Sequence, residues 1–304
     1  MTKSTLTQEL LAEPARLAAR TLGRVHLLKV LEESARIVTD DDPEAVHDFR
    51  VVLRRLRSWL QAFRPLLEDS VTRGSEQKLR RLSRVAGEAR DLQVQVAALR
   101  ELAATGTGTT ALAKEAKRIE RRLARDEVRA RKKLIRSTVD DLPATGAKLA
   151  TQLQHAELTA GSTNTGAEPT MAAAVALLLA ERLDQMETSL SRLKRPGQRV
   201  LAHQARIATK RLRYLLEAFG SSSRLAATAV LRLTKVQDEF GRLHDAQMLL
   251  QRITGLHAKP VLRTRLRRDI QTSFRRARRL SGSRDIATAE DATTRLIRRL
   301  ELRG

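Results

Sequence analysis

Positions 47 to 57 read HDFRVVLRRLR, and positions 203 to 213 read HQARIATKRLR. On a helical wheel of about 100° per residue, Arg50, Arg54 and Arg57 fall within roughly 80° of His47. Phe49, Leu53, Leu56, Leu60 and Phe63 gather on the other side. The second copy repeats this, with His203, Arg206, Lys210 and Arg213 opposite Leu212, Leu216 and Phe219. One face of each helix is made for a core and the other is a row of cations. Arg55 and Arg211 lie on the flank of the stripe.

The two stretches match at an offset of 156: His47 meets His203, Arg50 meets Arg206, Arg54 meets Lys210 and Arg57 meets Arg213. A second pair, LSRVAGEARDLQVQVAAL and VQDEFGRLHDAQMLLQRI, aligns at 154, where Gly87 meets Gly241 and Asp91 meets Asp245. Two separate matches at nearly one offset imply an internal duplication. Solvated helix faces mix signs at i,i+4 spacing, whereas these stripes carry no carboxylate of their own. Such a row repels itself, and a bound polyanion would reverse that cost.

Composition points the same way. The chain has 304 residues, and 58 Lys and Arg against 35 Asp and Glu leave a formal charge of +23. A polyanion is therefore the first partner to consider. Aromatic residues are only 2% of the chain, which weakens base stacking on single strands and leaves backbone contacts open. Cysteine is absent, which excludes disulfides, thiolate nucleophiles and Cys-ligated zinc. MAAAVALLLA at 171 to 180 is too short to span a bilayer, and the N-terminus lacks a secretory apolar segment. A cytoplasmic protein without membrane contact is expected.

Ala, Leu and Arg dominate, and apolar residues return every three or four positions, so the expected fold is all-α. Helices are expected near 8–38, 43–68, 75–103 and 111–137, then near 170–194, 198–219, 224–255, 259–281 and 286–302. Asp42 is the expected N-cap of the second helix, with Pro43 at its first position. Gly220 is expected to take a left-handed conformation past a helix end. The organisation that follows is two pseudo-symmetric four-helix bundles over 8–137 and 170–302, enclosing a basic central groove or pore. The linker is expected over 138–169, its most polar part being TAGSTNTGAEPT at 159 to 170.

The downstream helices add cations, of which Arg81 and Lys235 correspond at offset 154 and are the preferred additions to the site. Asp91 and Asp245 are expected to orient neighbouring arginines, and Gly87 and Gly241 to permit close helix approach. His26, His155, His244 and His257 have no histidine partner at the repeat offset and are expected to be structural or surface residues. GTGTTALAK at 106 to 114 lacks the G-K-[ST] ending of a phosphate-binding loop.

With these residues in view, AVHDFRVVLRRLRSWLQAF, AHQARIATKRLRYLLEAF, GEARDLQV and GRLHDAQM resemble the conserved histidine α-helical domain, CHAD, over roughly 8 to 300. The resemblance implies two four-helix bundles around a basic surface that binds inorganic polyphosphate, with association to polyphosphate granules. The ligand contacts it implies are His47, Arg50, Arg54 and Arg57, then His203, Arg206, Lys210 and Arg213, with Arg55 and Arg211 beside them. Ala202 and Ala205 stand where the family tends to carry larger apolar residues. No E-x-E-x-K motif of a triphosphate-tunnel enzyme occurs, so a binding module is expected, with no catalytic residue, cofactor or metal. The alternative is a protein that grips the nucleic-acid backbone with the same arginines.

Overall fold

The computed structural model describes residues 5–39, 42–104, 109–159, 168–195 and 198–303; for 43 and 155–159 it describes the backbone alone. The expected side chain of His155 and the linker stretch 160–167 therefore lie outside the described residues. Among those described, regular structure is helical: α1 (Gln8–Ala12), α2 (Ala15–Thr39), α3 (Pro43–Ala62), α4 (Arg64–Leu67), α5 (Arg73–Ala104) and α6 (Thr110–Thr159) come first. After them follow α7 (Met171–Ser191), α8 (Arg199–Glu217), α9 (Arg224–Gly255), α10 (Pro260–Ser281) and α11 (Arg284–Glu301). No helix among them is long and apolar enough to cross a membrane.

Caps set several boundaries. The Asp42 carboxylate accepts from Glu44 N at 2.9 Å, and Pro43 opens α3 where its missing N–H is not needed. Gly220 has a φ of +50°, and a Cβ there would collide with Thr5. Two expected helices are interrupted. Pro14 ends the first, its backbone pairing with Thr170 so that α1 and α2 are separate, and Phe63 parts α3 from α4.

The expected linker over 138–169 needs correction. α6 continues without a break to Thr159, through Pro143, and buries Leu142, Leu149 and Leu153. Pro143 and Gly146 weaken the local helical signal, but packing against α2 overrides it. Gly146 permits that approach, since a Cβ there would meet Leu31 Cδ2 at 3.0 Å.

Helices α2, α3, α5 and α6 pack on one another, as do α7, α8, α9 and α11, with α10 laid on α9. A single apolar core runs through both groups. They meet through α3 against α8, α5 against α9, and α2 against α7. At the last junction Ala15 N donates to Pro169 O at 3.0 Å while Met171 N donates to Glu13 O at 2.9 Å. Residues 13 and 169, and 15 and 171, stand at the same 156-residue offset as the two basic stripes, so the exchange is reciprocal.

Candidate functional site

The apolar stripes of α3 and α8 are sunk in the core: Phe49, Leu53, Leu56, Leu212, Leu216 and Phe219 are almost wholly buried. Ala202 and Ala205 are buried as well, so the small residues at the start of α8 still pack. With those faces fixed, the cationic sides of the two helices converge. A cavity of ≈ 290 Å³ is lined by Arg54, Arg55, Arg57 and Trp59 of α3 and by Lys210, Arg211, Tyr214 and Glu217 of α8. His26 of α2 and Arg182 of α7 line it too.

Charge is crowded there. Lys210 is pushed down to about 7 by burial and by Arg54, Arg206, Arg50 and Arg57, cations of both helices. Burial also draws Arg54 down to about 10. Tyr214 is the hub: Arg54 Cζ lies 4.9 Å from its ring centre, Arg213 Cζ 5.1 Å and Lys210 Nζ 5.7 Å, within reach of the π face. This contact softens the repulsion without supplying an anion. Elsewhere the fold gives its buried arginine partners: Arg20, 2% exposed, donates to Ser70 Oγ at 3.0 Å and to Asp69 at 2.9 Å. Arg54 Nε, Arg206 Nε and His47 Nδ1 are buried with no such partner.

Further along the same stripes, α5 and α9 contribute. Arg50 lies 3.7 Å from Asp91. Both Asp91 and Asp245 are raised, chiefly by desolvation, and Asp245 also by the neighbouring Asp91. Arg90 lies close enough to His47 to help lower it, after burial. His203 faces His244 with ring centres 5.8 Å apart, and burial followed by Arg206 and His203 pushes His244 down to about 4. At neutral pH His244 is therefore an uncharged donor and acceptor, and its neighbours are the fixed charges.

Several expectations change. Glu217 lies one turn beyond Arg213, binds it at 2.6 Å and takes Arg55 across from α3 at 3.3 Å, so α8 does carry a carboxylate on its stripe. Lys235 lies outside the cavity lining, 3.6 Å from Asp285 of α11, which also binds Arg232 at 3.0 Å. Arg81 is exposed on α5 and lies outside the cavity lining, as do His47, Arg50, His203, Arg206 and Arg213 further along the stripes. Gly87 and Gly241 do not serve close helix approach, because a Cβ at either would meet nothing within 4 Å. His257 sits exposed in the turn after α9 with a φ of 51°.

The structure adds groups that the sequence reading left aside, and the repeat contains their signal. His244 corresponds to Arg90 at offset 154, and each stands beside the first histidine of its own stripe. His26 corresponds to Arg182 at offset 156, and both line the cavity. A search for histidine matched with histidine passes over both pairs, although position is shared and only chemistry differs.

The profile of the CHAD domain family matches residues 21–254. Among solved structures, the chain is similar to the CHAD domain from the plant Ricinus communis, with TM-score 0.64 and 20% identity over 95% of this chain and 96% of that one. It is also similar to PptA from Streptomyces chartreusis, with TM-score 0.60 and 16% identity over 93% and 99%. No curated protein sequence matches. At such identities the two structures speak for a shared fold, while the family profile spans well over half of the chain. A helical chain carrying paired basic helices around one cavity, with that profile across both copies, belongs to the CHAD domain family.

Proposed function

We propose that the protein binds inorganic polyphosphate in a basic groove between two pseudo-symmetric helical bundles, as a binding module and not as an enzyme. The reciprocal hydrogen bonds at residues 13–15 and 169–171 support the two-fold arrangement, since each bond has its counterpart at the repeat offset. A linear anion is gripped from both sides, guanidinium forks taking pairs of phosphate oxygens and Lys210 acting as a point charge. His47 and His203 donate to the anion at the far end of the stripes. Asp91 holds Arg50 in place, a positioning role that gives neither carboxylate a part in chemistry.

One observation carries this reading: half-buried Lys210 is surrounded by cations from both helices and, among the described residues, forms no ion pair. The fold keeps a charge cluster that a dense anion would relieve. The same property suits a cytoplasmic protein associated with polyphosphate granules.

The reading is tested by titrating the protein with polyphosphates of graded length beside triphosphate and duplex DNA, in wild type and in Arg50→Glu with Arg206→Glu. Long chains bind tightly with a steep salt dependence, and the double reversal abolishes it. Unchanged affinity in that variant refutes the site. Displacement of polyphosphate by DNA at equal phosphate concentration would favour the nucleic-acid alternative for the groove.

A further inference from the structure

The outer face of α10 is a second concentration of charge, far in sequence from the basic stripes. α10 buries Leu262, Leu266, Phe274 and Ala277 and exposes Arg267, Arg268, Arg275, Arg276, Arg278 and Arg279. Its one carboxylate, Asp269, is taken by Arg265 at 3.1 Å. None of the six exposed arginines forms an ion pair among the described residues.

Helix α6 shows that this is not the ordinary dress of a helix in so basic a chain. Both α6 and α10 follow a long helix and pack on it. Yet α6 spaces acids among its cations: Asp126 pairs with Arg129 at 3.2 Å, Glu120 takes Arg100 of α5 at 2.8 Å, and Asp140 is exposed. The exposed arc of α10 carries no such acid among its six arginines.

Its arginines are ordered. Arg267 and Arg278 form one row, and Arg268 and Arg279 form another about 100° round the helix. Thr264, Gln271 and Arg275 lie on the crest between the rows. The strip extends about 18 Å at about 1.5 Å per residue. A convex ridge of this kind presents only one row at a time to a thin linear anion. A duplex groove admits an α-helix and offers a phosphate backbone on each side, so both rows are used. No aromatic or large apolar residue is exposed on the arc, which disfavours base stacking on single strands and insertion into a lipid surface.

We propose that the outer face of α10 seats in a groove of duplex nucleic acid, its two arginine rows contacting the phosphates of the two flanking strands without reading sequence. This surface is separate from the groove between α3 and α8 and goes beyond the function proposed for it.

The test uses the full chain and a labelled DNA duplex of about 20 base pairs and mixed sequence, close to two helical turns, at about 0.15 M salt. Arg268→Glu, Arg275→Glu and Arg279→Glu are combined in one variant. Arg121→Glu, Arg122→Glu and Lys132→Glu, exposed on α6, form a second variant with the same change in charge. Circular dichroism verifies that both fold. The expected result is a loss of at least about tenfold in duplex affinity for the α10 variant and a salt slope smaller by about 3, with little change in the α6 variant. Polyphosphate titration of the α10 variant should match wild type. Equal weakening of both variants would reduce the effect to net charge and overturn the proposal, as would no duplex binding by wild type. Equal capture by anionic lipid vesicles, or parallel loss of polyphosphate binding in the α10 variant, would overturn it too. A wild type that binds duplex but no polyphosphate would remove the groove's proposed function and leave this one standing.

Discussion

α3 and α8 are two copies of one idea, and their differences are as informative as their agreement. Where α3 has Arg54, Ser58 and Gln61, α8 has Lys210, Tyr214 and Glu217. The first copy brings a hydroxyl and an amide at those positions, and its Arg54 and Arg55 find Tyr214 and Glu217 across on α8. The second is moderated, since Tyr214 offers its ring to three cations and Glu217 holds Arg213 and Arg55. Lys210 can shed its proton near neutral pH, whereas Arg54 keeps its own. One helix thus supplies fixed charge, and the other adjusts how much of it the fold must bear.

The largest effect that separates the copies should come from Arg54→Met, a loss of polyphosphate affinity of about tenfold or more at any pH from about 6 to about 9. Lys210→Met should match it near pH 6 and cost less near pH 9, where Lys210 has given up its proton in the free protein. The sign for stability is opposite. Because Lys210 has a lower pKa folded than unfolded, the unfolded chain binds more protons between about 7 and the ordinary lysine value, and stability rises with pH across that window. Lys210→Met should therefore raise the melting temperature of the ligand-free protein at about pH 6, a gain that fades towards about pH 10. Thermal melts at both pH values check this.

Making α8 resemble α3 gives a smaller change. Glu217→Gln copies the amide of Gln61, frees Arg213 and Arg55, and should tighten polyphosphate binding by about 1 kcal/mol, roughly fivefold at water-like screening, while lowering thermal stability. Smallest is His244→Arg, which copies Arg90 of α5. It replaces an uncharged ring with a fixed cation at the end of the stripe, and should improve affinity by about twofold to threefold, vanishing at high salt. Titration at two salt concentrations separates the two variants.

Much of the architecture was legible because each relevant signal is local. The i,i+4 stripes of α3 and α8, the Asp42 cap with Pro43 behind it, and the left-handed Gly220 all depend on neighbours within a turn or two. α6 beyond residue 137 was not legible, since what keeps Pro143 inside a helix is the burial of Leu142, Leu149 and Leu153, the last of them against Gly23 of α2. Truncating Leu149 to Ala should cost about 2–5 kcal/mol of stability, where a linker residue would cost almost nothing. Among the candidate residues, cations could be counted but their neutralisation could not. Asp285 reaches Lys235 from another helix, and Glu217 reaches Arg55 from a partner 162 residues away. Such pairings are set by tertiary packing, so Lys235 and Lys210 look alike in sequence and part company in the fold.

The central claim, that α3 and α8 hold a single anion between them, is tested most directly by calorimetric titration of a medium-length polyphosphate into wild type, Arg50→Glu and Arg206→Glu. If the helices share one ligand, wild type binds one chain per protein, and either single-sided reversal weakens that same event. Two independent binding events in wild type, with each variant losing one and sparing the other, would contradict it.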